Sequence, residues 1–114
     1  MKGIIEIFNS SYNEARSKDV GVVVSVNVVN KIGHTNLPIK GKPNSVSILK
    51  ENGKTIQERY YNSEGEPYLD IDYTNHGNES THFIVPHQHK WHKNKDGKII
   101  REKWEEINND KRNS

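Results

Sequence analysis

The 114-residue chain contains no cysteine. This absence excludes disulfide bonds, zinc-thiolate sites and cysteine nucleophiles, so any metal ion must be bound by nitrogen and oxygen ligands. Hydrophobic residues make up only 31% of the chain, whereas charged residues make up 28%. A chain of this size and composition forms at most one domain with a thin core. We therefore predict a single β-rich domain over residues 1–107 and a frayed C-terminal tail over residues 108–114.

Long apolar segments are also missing. The most hydrophobic run, residues 20–29, has about half the length of a membrane helix and contains Gly21, Ser25 and Asn27. The N-terminus, "MKGIIEIFNS", lacks the apolar length and the small-residue cleavage pattern of a signal peptide. These features predict a cytoplasmic protein with no membrane partner. The net charge of +2 is too small to indicate nucleic-acid binding by itself.

Glycine-containing turns divide the middle of the chain into short β-prone segments. Asn-Gly and Asp-Gly, in "ENGK" and "NKDGK", favour hairpin turns that need positive φ, and "SEGE" supplies a further turn. The pattern predicts an antiparallel meander with strands over residues 45–50, 55–62, 68–74, 85–93 and 98–101. Two segments rich in β-branched residues, 4–8 and 20–29, also suit strands.

The rest of the predicted secondary structure is helical or irregular. Residues 9–19 offer helix caps at Asn9 and Ser10, and Trp104 and Ile107 lie three residues apart, as on one face of a short helix. The predicted fold class is therefore α+β, mostly an antiparallel β meander with one or two short helices. Residues 31–44 collect glycine, proline and asparagine and predict an irregular connection; loops of this length are often functional.

Five of the six histidines fall within residues 76–92. Side chains alternate between the two faces of a strand, so "YLDIDYT" places Asp70 and Asp72 together on one face. The same rule applied to "PHQHKWH" places His87 and His89 on one face with Trp91. A His-x-His strand holds two imidazoles within reach of one metal ion. If the two strands are neighbours, both pairs converge on one surface.

The loop between these strands adds two more histidines to the predicted site. The residues predicted to bind a metal ion are Asp70, His82, His87 and His89, and those predicted to act in catalysis are His87, His89, His76 and Asp72. A divalent zinc, nickel, manganese or magnesium ion would polarise a phosphodiester and lower the pKa of a water molecule. Alternatively, two histidines can cleave RNA without metal, one as base and the other as acid. A simpler interpretation is that exposed histidine and aspartate side chains pair with one another.

Residues 42–91 resemble a small module found at the C-termini of bacterial polymorphic toxins and in prophage-borne proteins. The resemblance is carried by "PNSV", "RYY", "DIDY", "HG" and "PHQHKW", in that order. It covers less than half of the chain. It implies a nuclease whose aspartate and histidine positions form the active or metal-binding site. The sequence leaves open whether an immunity protein is a partner.

Three functions follow as hypotheses. The first is a small nuclease-like domain that cleaves nucleic acid, with metal assistance from the His/Asp cluster. The chain starts at Met1 without a delivery region, which favours a second hypothesis over an exported toxin. This is a non-enzymatic phage or mobile-element protein that inhibits a host defence nuclease of the anti-CRISPR or anti-restriction type, the histidine cluster being structural. The third is a nucleic-acid-binding β module that uses Tyr60, Tyr61 and the basic residues after His87.

Overall fold

A computed structural model describes residues 17–74 and 86–107. The described residues form one six-stranded mixed sheet in which the strands follow their chain order. The strands are β1 Ser25–Asn30, β2 Ser45–Glu51, β3 Lys54–Tyr61, β4 Pro67–Asp72, β5 His87–Lys93 and β6 Ile99–Glu106. β1 is parallel to β2, and each later pair of neighbours is antiparallel. The hairpin turn between β2 and β3 has positive φ at Asn52 and Gly53, as a type I′ turn requires.

The predicted α+β class is wrong, because residues 17–74 and 86–107 contain no helix. The helix expected near Trp104 and Ile107 is replaced by β6, in which Trp104 lies opposite His89 of β5. Pairing with β5 satisfies the backbone and lets the tryptophan pack on the sheet, which outweighs a weak helical spacing. Nothing in the described part of the chain is a helix long and apolar enough to cross a membrane.

Several predicted segments lie outside the described residues. They are the strand over residues 4–8, most of the helix over residues 9–19, and the tail over residues 108–114. The strand expected over residues 20–29 begins only at Ser25. The other predicted strands are present with ends that differ by a few residues, and the largest difference is β6, which extends to Glu106.

The parallel pairing of β1 and β2 explains the long irregular connection. Two parallel neighbours cannot be joined by a tight turn, because the chain must return along the length of the strand before the second one begins. Residues 31–44 make this return, and we call them the crossover. Within the crossover, Leu37 is buried and its carbonyl accepts a hydrogen bond from Arg59 Nη1 at 2.8 Å. The crossover therefore packs against the face of the sheet that carries Arg59.

The two faces of the sheet differ in chemistry. On the first, the apolar face, the core residues are Val46, Ile48, Tyr60, Leu69 and Ile71, against which Val20, Val23 and Val26 pack. On the second, the polar face, Arg59, Asp70, Asp72 and His87 are all buried. Burial of charged groups is unfavourable unless they are paired or bind a metal ion. The partners of these four residues therefore decide what the polar face does.

Candidate metal centre

The polar face brings the aspartate pair and the histidine pair together. β4 and β5 are antiparallel neighbours, with Asp70 opposite His89 and Asp72 opposite His87. Directly opposed residues in such a pair point to the same face, with Cβ atoms about 4.5–5.5 Å apart. The sequence predicted that both pairs would lie on one surface, and this prediction is confirmed. Alternation places each pair on one face of its strand, and the register places the two pairs side by side.

Asp72, His87 and His89 form a group that can hold a metal ion, and we call it the metal triad. His87 Nε2 lies 3.3 Å from Asp72 Oδ2, and His89 Nε2 lies 3.4 Å from the same oxygen. The three ligand atoms all lie within 4.8 Å of one another. Zinc bonds of about 2.0–2.1 Å in a tetrahedron place two donor atoms roughly 3.3 Å apart. The donor types and their spacing thus fit a divalent cation with two nitrogen ligands and one oxygen ligand.

Contacts with β6 orient both imidazole rings. His89 Nδ1 lies 2.9 Å from the carbonyl oxygen of Glu102. When His89 donates its Nδ1 proton to that carbonyl, Nε2 faces Asp72 and can exchange its own proton for a metal ion, as metal-binding histidines require. The ring of His87 packs edge-on against Trp104 with centroids 5.5 Å apart, and against the ring of His89 at 5.3 Å. The metal triad is therefore supported by three strands rather than two.

The electrostatic surroundings keep Asp72 ionised. Burial raises the pKa of this carboxyl, but the hydrogen bond from His89 and the positive charge of Arg101 outweigh burial. His87 makes a smaller contribution in the same direction. As a result, the pKa of Asp72 lies below its ordinary value. Because only a deprotonated carboxylate binds a cation well, Asp72 is in its metal-binding form at neutral pH.

Asp70 has a different set of partners. Arg59 donates Nε to Oδ1 at 2.8 Å and Nη2 to Oδ2 at 2.9 Å, forming a bidentate ion pair. Arg101 Nε donates to Oδ2 at 2.8 Å, and Gln57 Nε2 lies 3.3 Å from the same atom. The structure therefore does not bring Asp70 into the metal triad. Asp72, for which the sequence predicts a catalytic role, takes the ligand position that was predicted for Asp70.

The other four histidines comprise two outside the described residues and two with different surroundings. His76 and His82 lie outside the described residues, so their predicted roles in catalysis and metal binding stay predictions. His92, at the end of β5, is exposed and places Nδ1 2.9 Å from Glu102 Oε2. His34 lies in the crossover and lines a cleft of about 280 Å³ that Asp72 also lines.

A larger cleft opens beside the metal triad. It has a volume of about 440 Å³, and its lining residues are Asn36, Leu37, Ile39, Gln57, Arg59, Asp72 and Arg101. The crossover forms one wall and the polar face forms the other. Gly41 lets the crossover approach this closely, because a Cβ atom there would lie 2.6 Å from the ring of Tyr61. Asp72 is thus reached from the cleft although only 3% of its surface is exposed.

The sequence did not reveal the roles of Arg59, Arg101 and Trp104. The third hypothesis suggested instead a nucleic-acid-binding surface that uses Tyr60 and Tyr61. Tyr60 belongs to the apolar core, while Tyr61 lies on the polar face beneath the crossover, so the two rings do not share a surface. The guanidinium of Arg59 lies 4.9 Å from the ring centroid of Trp91 and is buried. These partners come from different strands, so only the strand register could have identified them.

No family model matches this chain, and no curated protein and no solved structure matches it. The resemblance to the toxin and prophage module therefore rests on the quoted motifs alone. What the structure contributes is the metal triad and the cleft beside it.

Proposed function

We propose that this protein is a small metal-dependent phosphodiesterase that acts on nucleic acid. The supporting observation is the metal triad, whose three ligand atoms lie within 4.8 Å of one another beside a cleft of about 440 Å³. Structural zinc sites are closed by four protein ligands, whereas catalytic sites use three and leave a position for water or substrate. Within residues 17–74 and 86–107, this group has three members. The adjacent cleft, through which water or a substrate can approach Asp72, favours a catalytic site.

The donor set favours particular metal ions. Two imidazoles and one carboxylate are typical zinc ligands in hydrolases, and they also suit manganese or nickel. Magnesium prefers oxygen ligands and a nearly complete hydration shell, so it fits this group less well. A bound zinc ion would lower the pKa of a coordinated water molecule and polarise a phosphoryl oxygen.

The residues around the ion have distinct tasks in this proposal. His87, His89 and Asp72 hold the ion, and the carbonyl of Glu102 fixes the ring of His89. Arg101 Nη2 lies 3.6 Å from Asp72 Oδ2, so a permanent positive charge adjoins the proposed position of the phosphate. The crossover shields the polar face from bulk water, which strengthens electrostatic interactions there. His76 is proposed as a proton-transfer group and His82 as an additional ligand, on the basis of the sequence pattern.

Cleavage of labelled RNA and DNA by the purified protein tests this function. We expect cleavage with added zinc or manganese, and a loss of at least about a hundredfold in His89→Ala, because removing a ligand removes the ion. His92→Ala is the matched control, since His92 lies on the same strand but is exposed and outside the metal triad. Circular dichroism checks that both variants fold. Equal cleavage by the wild type and His89→Ala, or no metal-stimulated cleavage at all, would exclude the proposal.

The deep burial of His87 favours a second candidate function. This residue has no exposed surface and packs against Trp104, as a ligand of a purely structural ion would. In that case the protein is a non-enzymatic inhibitor of a host defence nuclease, and the ion stabilises the sheet. A stable complex with a nuclease of the CRISPR or restriction type, without any cleavage of nucleic acid, is the expected result. Cleavage that depends on His89 would rule out this second function.

A further inference from the structure

Among the described residues, the buried charged groups of the polar face, together with Arg101, would carry a surplus of positive charge with a divalent metal ion bound. Arg59 and Arg101 share the single carboxylate of Asp70, which leaves this cluster with one net positive charge. A divalent ion held by Asp72 and two neutral imidazoles adds a second. In a partly buried site such a surplus is poorly compensated by solvent. The cleft is therefore suited to an anionic ligand.

Arg101 is the group best placed to bind that anion. Arg59 uses Nε and Nη2 on Asp70 and Nη1 on the carbonyl of Leu37. Among the described residues, Arg101 donates only Nε, to Asp70 Oδ2. Its side chain is 35% exposed and lines the larger cleft. Neither terminal nitrogen of Arg101 donates a hydrogen bond to a described residue, and Nη2 forms only the longer ion pair with Asp72, so both can hydrogen-bond a ligand.

The same oxygen atom links Arg101 to the metal triad. Asp72 Oδ2 lies 3.3 Å from His87 Nε2, 3.4 Å from His89 Nε2 and 3.6 Å from Arg101 Nη2. A guanidinium and a metal ion that adjoin one carboxylate oxygen are close enough to share a small oxyanion. We propose that Arg101 binds a phosphate group in the cleft and that this group bridges Arg101 and the ion held by the metal triad. This assignment rests on the metal site of the proposed function and names the part of the substrate that is recognised.

The arrangement favours arginine over any other cation at this position. A planar guanidinium presents paired donors that match two phosphate oxygens, which an ammonium group does not. The ion pair with Asp70, itself held by Arg59, fixes the side chain before the ligand arrives and so reduces the entropy lost on binding. The cleft volume of about 440 Å³ falls within the range of small-ligand pockets. It accommodates a phosphate together with part of the attached nucleotide.

Binding of inorganic phosphate to the zinc-loaded protein tests this inference without any cleavage. We expect calorimetric titration to show that Arg101→Gln weakens phosphate binding at least about tenfold, because a charge-assisted hydrogen bond is lost. Arg101→Lys should give an intermediate affinity, since it keeps the charge and loses the paired donors. Lys103→Gln is the matched control, because Lys103 is an exposed cation on the same strand. Sodium acetate, titrated in parallel, should bind more weakly than phosphate.

The outcomes separate this inference from the proposed function. Equal phosphate affinities of the wild type and Arg101→Gln would overturn the inference, even if the protein cleaves nucleic acid. An equal loss in Lys103→Gln would also overturn it, because the effect would then be one of overall charge. Loss of phosphate binding in Arg101→Gln alone would support it, even if no nucleic acid is cleaved. Zinc titration of Arg101→Gln shows whether the metal triad remains intact in that variant.

Discussion

Asp70 and Asp72 lie two residues apart on the same face of β4, and both are buried. Their surroundings nevertheless differ. Asp70 binds Arg59 and Arg101 through short, charge-assisted hydrogen bonds. Asp72 faces two imidazole nitrogens at 3.3 and 3.4 Å, with Arg101 slightly farther away. One carboxylate is therefore the centre of an ion-pair network, and the other belongs to a metal-binding group.

The type of neighbour explains this difference. A guanidinium carries only donors and remains charged at any relevant pH, so it occupies a carboxylate permanently. A neutral imidazole has one lone pair, which it can offer to a metal ion together with a nearby carboxylate. Asp70 lies opposite Arg59 on β3, whereas Asp72 lies opposite Gln57. A shift of two residues along the strand thus separates an ion-paired carboxylate from one whose neighbours could hold a metal ion with it.

Asp70→Asn should cause the largest change in stability. Two arginines would lose their common partner on a buried face, and breaking a buried ion pair in this way costs about 3–5 kcal/mol. Urea unfolding of the metal-free protein measures the loss in free energy of unfolding. Asp72→Asn should cost clearly less, because Asp72 faces two imidazoles and one guanidinium at 3.6 Å rather than two guanidinium groups at hydrogen-bond distance. Asp96→Asn, at an exposed turn, should change stability by less than about 0.5 kcal/mol. A larger loss in Asp72→Asn than in Asp70→Asn would reverse the assignment of the two roles.

Zinc should stabilise the protein through Asp72 and its two histidines. At a zinc concentration of a hundred times the Kd, linkage predicts a gain of about 2.7 kcal/mol in the free energy of unfolding. The gain should disappear in His89→Ala and Asp72→Asn, persist in His92→Ala, and be reversed by a chelator. Urea unfolding with and without zinc provides the measurement. If His92→Ala loses as much of the gain as His89→Ala, zinc binds elsewhere on the chain.

Features with a local cause were predictable from the sequence. Asn52 and Gly53 specify a turn through their backbone preferences, and the alternation in "DID" and "HQH" fixes which side chains share a face. The facing of the aspartate and histidine pairs required one further assumption, that the two strands are neighbours. The structure confirms that assumption, since β4 and β5 pair as antiparallel neighbours.

Features with a non-local cause were not predictable. The different surroundings of Asp70 and Asp72 depend on Arg59 from β3 and Arg101 from β6, which the sequence does not link to either aspartate. The helix expected around Trp104 failed for the same reason, since three-residue spacing cannot reveal an available sheet edge. The parallel pairing of β1 also depends on how the crossover packs. Strand register, rather than strand identity, is the information that was missing.

Lowering the pH should cause the smallest of these changes in the free energy of unfolding, and the change should depend on Asp72. The pKa of Asp72 is lower in the folded protein than its ordinary value, although burial opposes the shift. A carboxyl with a depressed folded pKa stabilises the protein fully above its unfolded pKa of about 3.9, and this stabilisation is lost as the pH falls through the folded value. The difference in free energy of unfolding between the metal-free wild type and Asp72→Asn should therefore shrink as the pH is lowered from about 5 to about 3.

Urea unfolding at several pH values measures the difference, and Asp96→Asn again provides the exposed control. If the difference grows toward acid pH, folding raises the pKa of Asp72 instead of lowering it. A neutral carboxyl would be a poor metal ligand, so that result would count against the metal triad as well as against the contrast with Asp70.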